Sequence, residues 1–426
     1  SIAVLDLADP TKTHSEPPRT LSVIRADKHI RCAAEECSGY FDRVTGIDGS
    51  SAAVWWRADG QALFFRRRNG WNVPGFGIYE WKVGAPTVRR VFASLDTIDA
   101  CSARSEQLVC LRQTPSWPRT VISLDLKSGR AATLLDPNPQ WRQVQLGQTS
   151  WLKWADRDGH ETYGVLVRPL DYRPGTKYPM VVIGYATSNA LRGDIAGRYP
   201  AHLLAAKGFV TLVYSYWRSE ERLHEPGFLD SRWDMPLDHV RVPYAQIETA
   251  VDLLANSGLV DRERVGIAGH SSGLYPAAYG LIHTNLFKAA AIGWAQWKWN
   301  GVYASRTIPL SEAQSPGEPL PLTKEVSIVW NAERVRAPIL VHASDYEFEY
   351  EEQRVPLGIL GRKGLMEMYV LPDEQHVPFH PAHRDAEIRR NTQWFQFWLA
   401  GEEDPEPVDV GQYERWRSMR RQHGEN

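Results

Sequence analysis

Cysteine is scarce in this chain, with four residues in 426. That rules out a small disulfide-stapled scaffold and leaves stability to a packed core. The four fall into two close pairs, Cys32 with Cys37 and Cys101 with Cys110. Local bridges of this kind fit an oxidising compartment such as a bacterial periplasm; four buried free thiols in a cytoplasmic protein are the alternative. Charge of one sign is not in excess either. A formal net charge of −2 gives no electrostatic reason to expect nucleic acid or an anionic membrane as partner. Runs long and apolar enough for a membrane-spanning helix are absent. The first residue is Ser1 and no signal-peptide pattern follows, so a processed or engineered start is expected. Aromatic residues are plentiful, with 17 Trp and 17 Tyr, which suits β structure and a substrate cleft. The length implies two domains, and a 43% hydrophobic content is enough for a large core.

The first third reads as β structure. Ile2–Leu7, Ala52–Arg57, Ala62–Arg67, Gly77–Val83, Val88–Ala93, Leu108–Arg112 and Val121–Leu126 are short, partly alternating segments. Asp59-Gly60, Asn69-Gly70 and Ser128-Gly129 supply turns between them, and WWRADGQALFFRRR reads as a hairpin about its Asp-Gly pair. The rhythm is that of β-propeller blades. At about 40–45 residues per four-stranded blade, residues 1–145 hold roughly three, whereas closed propellers need about four to eight. The expectation is therefore the C-terminal blades of a propeller, with an N-terminal part missing or supplied by another fragment of the same protein.

From Leu152 strands alternate with helices, so residues 146–426 are expected to form a mostly parallel, doubly wound α/β sheet. Strands are expected at Tyr178–Gly184, Val210–Tyr214, Val265–Ala268, Ala289–Gly293, Pro338–Ala343 and Glu367–Leu371. Helices are expected at Ala201–Lys207, Tyr244–Ser257, Leu274–His283, Gln353–Lys363 and about Arg384–Leu399, and the charged stretch Gly401–Asn426 reads as a solvated tail or an edge helix.

The chemistry centres on Gly269-His270-Ser271-Ser272-Gly273, a G-x-S-x-G match with a strand before it and a helix after it. That context is the one a nucleophile elbow requires. Side chains at Gly269 or Gly273 would collide with the neighbouring element in so tight a turn. A serine hydroxyl needs a base oriented by an acid, and on the α/β-hydrolase sheet the order is nucleophile, acid, histidine. Ser344-Asp345-Tyr346-Glu347 follows one later strand and Pro372-Asp373-Glu374-Gln375-His376 the next. His376 is the expected base, and Glu347 the expected acid with Asp345 as the alternative. Tyr185, directly after strand Tyr178–Gly184, and the backbone N–H of Ser272 are the expected oxyanion donors. His342 reads as a core group. His376, His380 and His383 form H-x3-H-x2-H, but Pro378 and Pro381 interrupt any helix aligning them and no matching acid or Cys cluster is evident. No metal and no cofactor are expected. Trp294, Trp297 and Trp299 are candidates for the acyl pocket or the core, and Glu35-Glu36 for a solvated turn or a substrate contact.

GYATS, GHSSG, SDYEFE, LPDEQHVPFHPAHR and NTQWFQFWL resemble the prolyl oligopeptidase family of serine peptidases, over about Trp151–Gly401 and more loosely the blades before. Within it the similarity is to bacterial lasso peptide isopeptidases, whose acid loop reads D-x-E-aromatic. The resemblance implies an α/β hydrolase behind a shielding propeller, with Ser271, His376 and Glu347 as triad and Tyr185 as oxyanion donor. It also implies a lasso peptide as substrate, hydrolysed at the isopeptide bond between its N-terminal amine and an Asp or Glu side chain. A general oligopeptidase, dipeptidyl peptidase or esterase, and a catalytically silent hydrolase-fold binding protein, are the alternatives. His270 inside the elbow and the short β region depart from the pattern.

Overall fold

The computed structural model describes residues 1–7, 18–41, 54–70, 73–184, 191, 197–214, 238–293, 325–345 and 349–424. Two compact units divide these described residues between Val144 and Gln145.

Among the described residues, the first unit holds three four-stranded antiparallel sheets. The first holds β1 (Ile2–Leu7), β2 (Arg19–Arg25), β3 (Lys28–Arg31) and the two-residue β4 (Ser38–Gly39). The second is the meander β5 (Val54–Trp56), β6 (Ala62–Gly70), β7 (Val73–Lys82) and β8 (Arg89–Ser94). The third is the meander β9 (Thr97–Arg104), β10 (Gln107–Thr114), β11 (Trp117–Asp125) and β12 (Ala131–Leu135). The expected Asp59-Gly60 hairpin forms: Gly60 takes φ +68°, and the Asp59 carboxylate accepts the Gln61 N–H at 2.9 Å. Strand alternation explains how the sheets stack. Leu63 and Phe65 face Leu21, Val23 and Trp81, while Phe64 between them faces Ile98, Leu108 and Ile122. The middle sheet is thus buried on both faces, between the first sheet and the third. Both cysteine pairs are disulfides, Cys32–Cys37 in the first of these interfaces and Cys101–Cys110 in the second.

The second unit is built on an eight-stranded sheet. Its strands are β13 (Thr149–Ala155), β14 (Glu161–Val167), β15 (Tyr178–Gly184), β16 (Val210–Tyr214), β17 (Val260–His270), β18 (Ala289–Gly293), β19 (Ile339–Ser344) and β20 (Met366–Leu371). They lie in the order β13-β14-β16-β15-β17-β18-β19-β20. β14 pairs antiparallel with both its neighbours, and every later pairing is parallel. Both faces are covered, which is why the central strands read as unbroken apolar runs. Met180 and Val182 enter one core with α2 (Asp238–Asn256), α3 (Leu274–His283) and Leu360 at the end of α4 (Glu349–Leu360). Val181 and Ile183 enter the other with α1 (Ala201–Ala206), α5 (Pro381–Phe395) and α6 (Gln412–Gly424).

Several expected boundaries shift: β17 starts five residues before the expected Val265, and α4 four residues before the expected Gln353. α2 starts six residues before the expected Tyr244, taking Pro243 inside it. The last long helix starts at Pro381, since a proline at the first helical position gives up an N–H that has no partner there anyway. The charged C-terminal stretch forms an edge helix that belongs to the core: Trp416 is fully buried against Trp394 and Phe397. Burying one such side chain contributes about 2–3 kcal/mol, and its indole N–H is satisfied by the Glu367 carboxylate.

Candidate active site

Parallel pairing brings the carboxyl ends of β15, β17, β18, β19 and β20 to one edge of the sheet, where open α/β sheets bind ligands. In the register Gly184 lies beside Gly269, His270 beside Gly293, and Ser344 beside Leu371. Every loop expected to carry chemistry leaves this edge.

β17 ends at His270, and the chain turns through Ser271–Gly273 into α3. Ser271 takes φ +51°, left-handed backbone that costs a side-chain-bearing residue about 1–3 kcal/mol and is typical of a constrained functional turn. Gly269 is required by space: a Cβ there would lie 2.6 Å from the Gly273 carbonyl oxygen. The Tyr199 hydroxyl donates to the Gly269 carbonyl at 3.1 Å, pinning the strand end just before the turn.

The histidine loop is held against the same edge. Asp373 takes φ +55° and donates its N–H to the Asp345 carboxylate at 2.8 Å. The Ser344 hydroxyl donates to the Glu374 carbonyl. Buried Glu374 accepts the backbone N–H groups of Phe379 (2.8 Å) and His380 (3.1 Å), and the Nδ1–H groups of His380 and His383, both at 2.9 Å. Burial alone would raise its pKa, but these donors together hold it below the usual glutamate value. His376 sits inside the loop that this one carboxylate ties together.

Arg198 links loop to elbow. It lies 2.7 Å from His270 Nδ1 through one nitrogen and donates to the His376 carbonyl at 2.8 Å through another. The rings of His270 and His376 stand 4.7 Å apart. Burial, the Arg198 charge and His376 push the His270 pKa down to about 2, so this ring is neutral near pH 7. The same Nδ1 also lies 3.1 Å from the Gly293 carbonyl, so this ring is held between the guanidinium and the end of β18. His270 is therefore an uncharged ring packed against the candidate base.

Arg198 is itself buried and stands 3.5 Å from the buried carboxylate of Glu387, which lies 3.8 Å from His342 Nδ1. His342 is fully buried, and burial together with Arg390 and Arg198 keeps it neutral. Cutting such a pair leaves a charge without compensation. Arg198→Ala should cost about 3–5 kcal/mol of stability, read from urea unfolding, and Arg198→Met with Glu387→Leu should recover most of it. A single variant within 1 kcal/mol of the parent would remove the pair from the support of the site.

Of the residues expected from sequence, Ser271 and His376 are carried on segments that Arg198 holds together. Ser272 follows the nucleophile in the turn. Asp345 is exposed, with one carboxylate oxygen engaged by the Asp373 backbone. Tyr185, Glu347, Trp294, Trp297 and Trp299 lie outside the described residues. Glu35 and Glu36 form a short 3-10 turn ending at Cys37. Sequence reasoning missed Arg198, Glu387 and the convergence of His380 and His383 on Glu374. For Glu374 a signal existed, its place two residues before His376. For Arg198 there was none.

Residues 201–402 match the prolyl oligopeptidase family. The segment runs from α1 to just past α5 and contains both Ser271 and His376. The chain is 29% identical over 429 aligned residues to the lasso peptide isopeptidase AtxE2 of Asticcacaulis excentricus, spanning 95% of this chain and 58% of that protein's length. Dipeptidyl peptidase 8 of Homo sapiens is 24% identical over 261 residues, covering 58% of this chain and 28% of that one. Among solved structures, a variant of AtxE2 with Astexin3-dC4 bound superimposes with a TM-score of 0.86 at 27% identity, over 99% of this chain and 64% of that chain. A puromycin-hydrolysing peptidase of Mycobacterium tuberculosis shares the fold, with a TM-score of 0.67 at 14% identity.

Proposed function

We propose that this chain carries the catalytic unit of a serine peptidase that opens the isopeptide bond of a lasso peptide. The observation that carries this is the Arg198 bridge between His270 in the elbow and His376 in its loop, which brings nucleophile and base segments to one sheet edge. Similarity to AtxE2 over nearly the whole chain supports the substrate class.

Ser271 Oγ attacks the isopeptide carbonyl while His376 takes its proton, and the oxyanion is met by the Ser272 N–H and Tyr185. His376 then gives that proton to the leaving N-terminal amine, and an acyl-enzyme remains on the Asp or Glu side chain. Water, deprotonated by the same histidine, releases the side-chain carboxylate and restores Ser271. Glu347 holds the histidine tautomer throughout, and no metal or cofactor takes part in this scheme.

The three four-stranded sheets among the described residues are fewer than the roughly four to eight blades of closed propellers. The proposal therefore includes further blades supplied from outside these 426 residues. Two disulfides support a bacterial periplasmic location.

A lasso peptide is folded, so binding energy from its loop and tail can position the bond against Ser271. A threaded peptide should gain the mass of one water in a digest followed by mass spectrometry, and the unthreaded branched-cyclic form of the same sequence should react at least tenfold more slowly. Equal rates, or a preference for linear dipeptidyl substrates, would instead assign a general peptidase of the family.

A further inference from the structure

Two groups of ligand-type side chains converge among the described residues: Asp156, Asp158 and His160, and Glu374, His380 and His383. The first has a structural use. One oxygen of Asp156 accepts the N–H groups of Asp158 and His160 at 3.0 and 2.9 Å, forming the turn between β13 and β14.

The second group is arranged differently. Glu374 is buried, and its two oxygens accept the backbone N–H groups of Phe379 and His380, as a carboxylate's do. Both imidazoles therefore aim an Nδ1–H at one oxygen, Oε1, each from 2.9 Å, with their ring centroids 5.3 Å apart. All three ligand atoms lie within 4.8 Å of one another. A divalent cation can take the place of the two Nδ1 protons, which pass by exchange with water to the solvent-facing Nε2 atoms, the ligands separating from 2.9 Å to the roughly 3.3 Å implied by metal–ligand bonds of about 2.0–2.1 Å in a tetrahedral shell. The Phe379 N–H on Oε2 already orients the carboxylate from outside the group. The histidine side chains are 42% and 31% exposed, which leaves a path from solvent and a fourth position for water. Two imidazoles with one carboxylate suit a borderline transition metal, whereas calcium and magnesium prefer all-oxygen shells.

We propose that Glu374, His380 and His383 form a zinc-class cation site whose occupation slows catalysis. The slowing follows from place. His376 lies between Glu374 and His380, and the carboxylate that must open toward the cation is the one tying this loop together. A misplacement of about 1 Å can cost a catalytic group up to 10²-fold in rate. Cation binding itself stands apart from the proposed function; the slowing rests on it.

Calorimetry with ZnCl2 in a non-chelating buffer tests binding on the Ser271→Ala protein, which has no turnover. The expected result is one ion per chain with a Kd of about 1 µM or tighter. His383→Gln and, separately, His380→Gln should each weaken it at least tenfold in protein whose circular dichroism matches the parent, while His376→Ala keeps it. No binding, binding unchanged in both histidine variants, or binding lost in His376→Ala would overturn the site. On the parent chain, ZnCl2 should slow fluorophosphonate labelling of Ser271 and EDTA should restore it, and His383→Gln should be insensitive. An ion bound without any slowing would overturn the regulatory half. A parent chain that binds zinc but is never labelled would reject the peptidase reading and leave the site standing.

Discussion

Ser271→Ala is expected to lower kcat by about 10⁶-fold with KM nearly unchanged, because it removes the proposed nucleophile and leaves the binding surface intact. The size of the loss follows from the chemistry: without Oγ there is no acyl-enzyme, and only binding and the oxyanion donors remain to act on a direct attack by water. Folding should be spared. Alanine at φ +51° meets the same backbone strain as serine, so the unfolding free energy should stay within about 1 kcal/mol of the parent. The measurements are single-turnover linearisation of the threaded peptide by mass spectrometry, fluorophosphonate labelling, and urea unfolding. Labelling that persists in the variant would move the nucleophile elsewhere. An unlabelled parent chain would make this a hydrolase fold without hydrolase chemistry.

Glu347→Gln should cost about 10³–10⁴ in kcat, and Asp345→Asn less than about tenfold. The triad acid keeps the proton on the correct histidine nitrogen and stabilises the imidazolium, and an amide does neither. Asp345 already has an occupation: one of its oxygens accepts the Asp373 N–H, at the residue of positive φ that opens the histidine loop. An asparagine keeps an acceptor oxygen for that bond, so its effect should be small and fall on loop stability. Parallel kcat and KM measurements on both variants decide the matter. The reverse ranking would give the triad role to Asp345.

Much of the fold was legible because its signals are local. The Asp59-Gly60 hairpin needs only a turn that tolerates positive φ and strands with apolar faces. The buried strands at Tyr178, Val210 and Ala289 are short apolar runs bounded by breakers, and their bounds agree with expectation. Of the strands that escaped notice, β2 (Arg19–Arg25) does alternate through Leu21 and Val23, whereas two others lack such signals. β12 (Ala131–Leu135) is exposed along its whole length, so no alternation marks it. β9 (Thr97–Arg104) carries Asp99 and Ala100 in mid-strand, and Ala100 takes φ +48°.

By itself the sequence determined the elbow, the order of the serine, acid and histidine loops, and the pairing of neighbouring cysteines. Each is written within a few residues, where backbone sterics and chain proximity leave little choice. Only the tertiary structure decided what supports them. Arg198 reaches His270 across 72 residues and His376 across 178, and this depends on the sheet order that places β15, β17 and β18 side by side. Likewise, Pro381 begins a helix after His380, and that start turns His380 and His383 onto the buried Glu374. A guanidinium or a carboxylate carries no mark in the sequence of the partner it will meet; burial makes a partner necessary, and the fold chooses which.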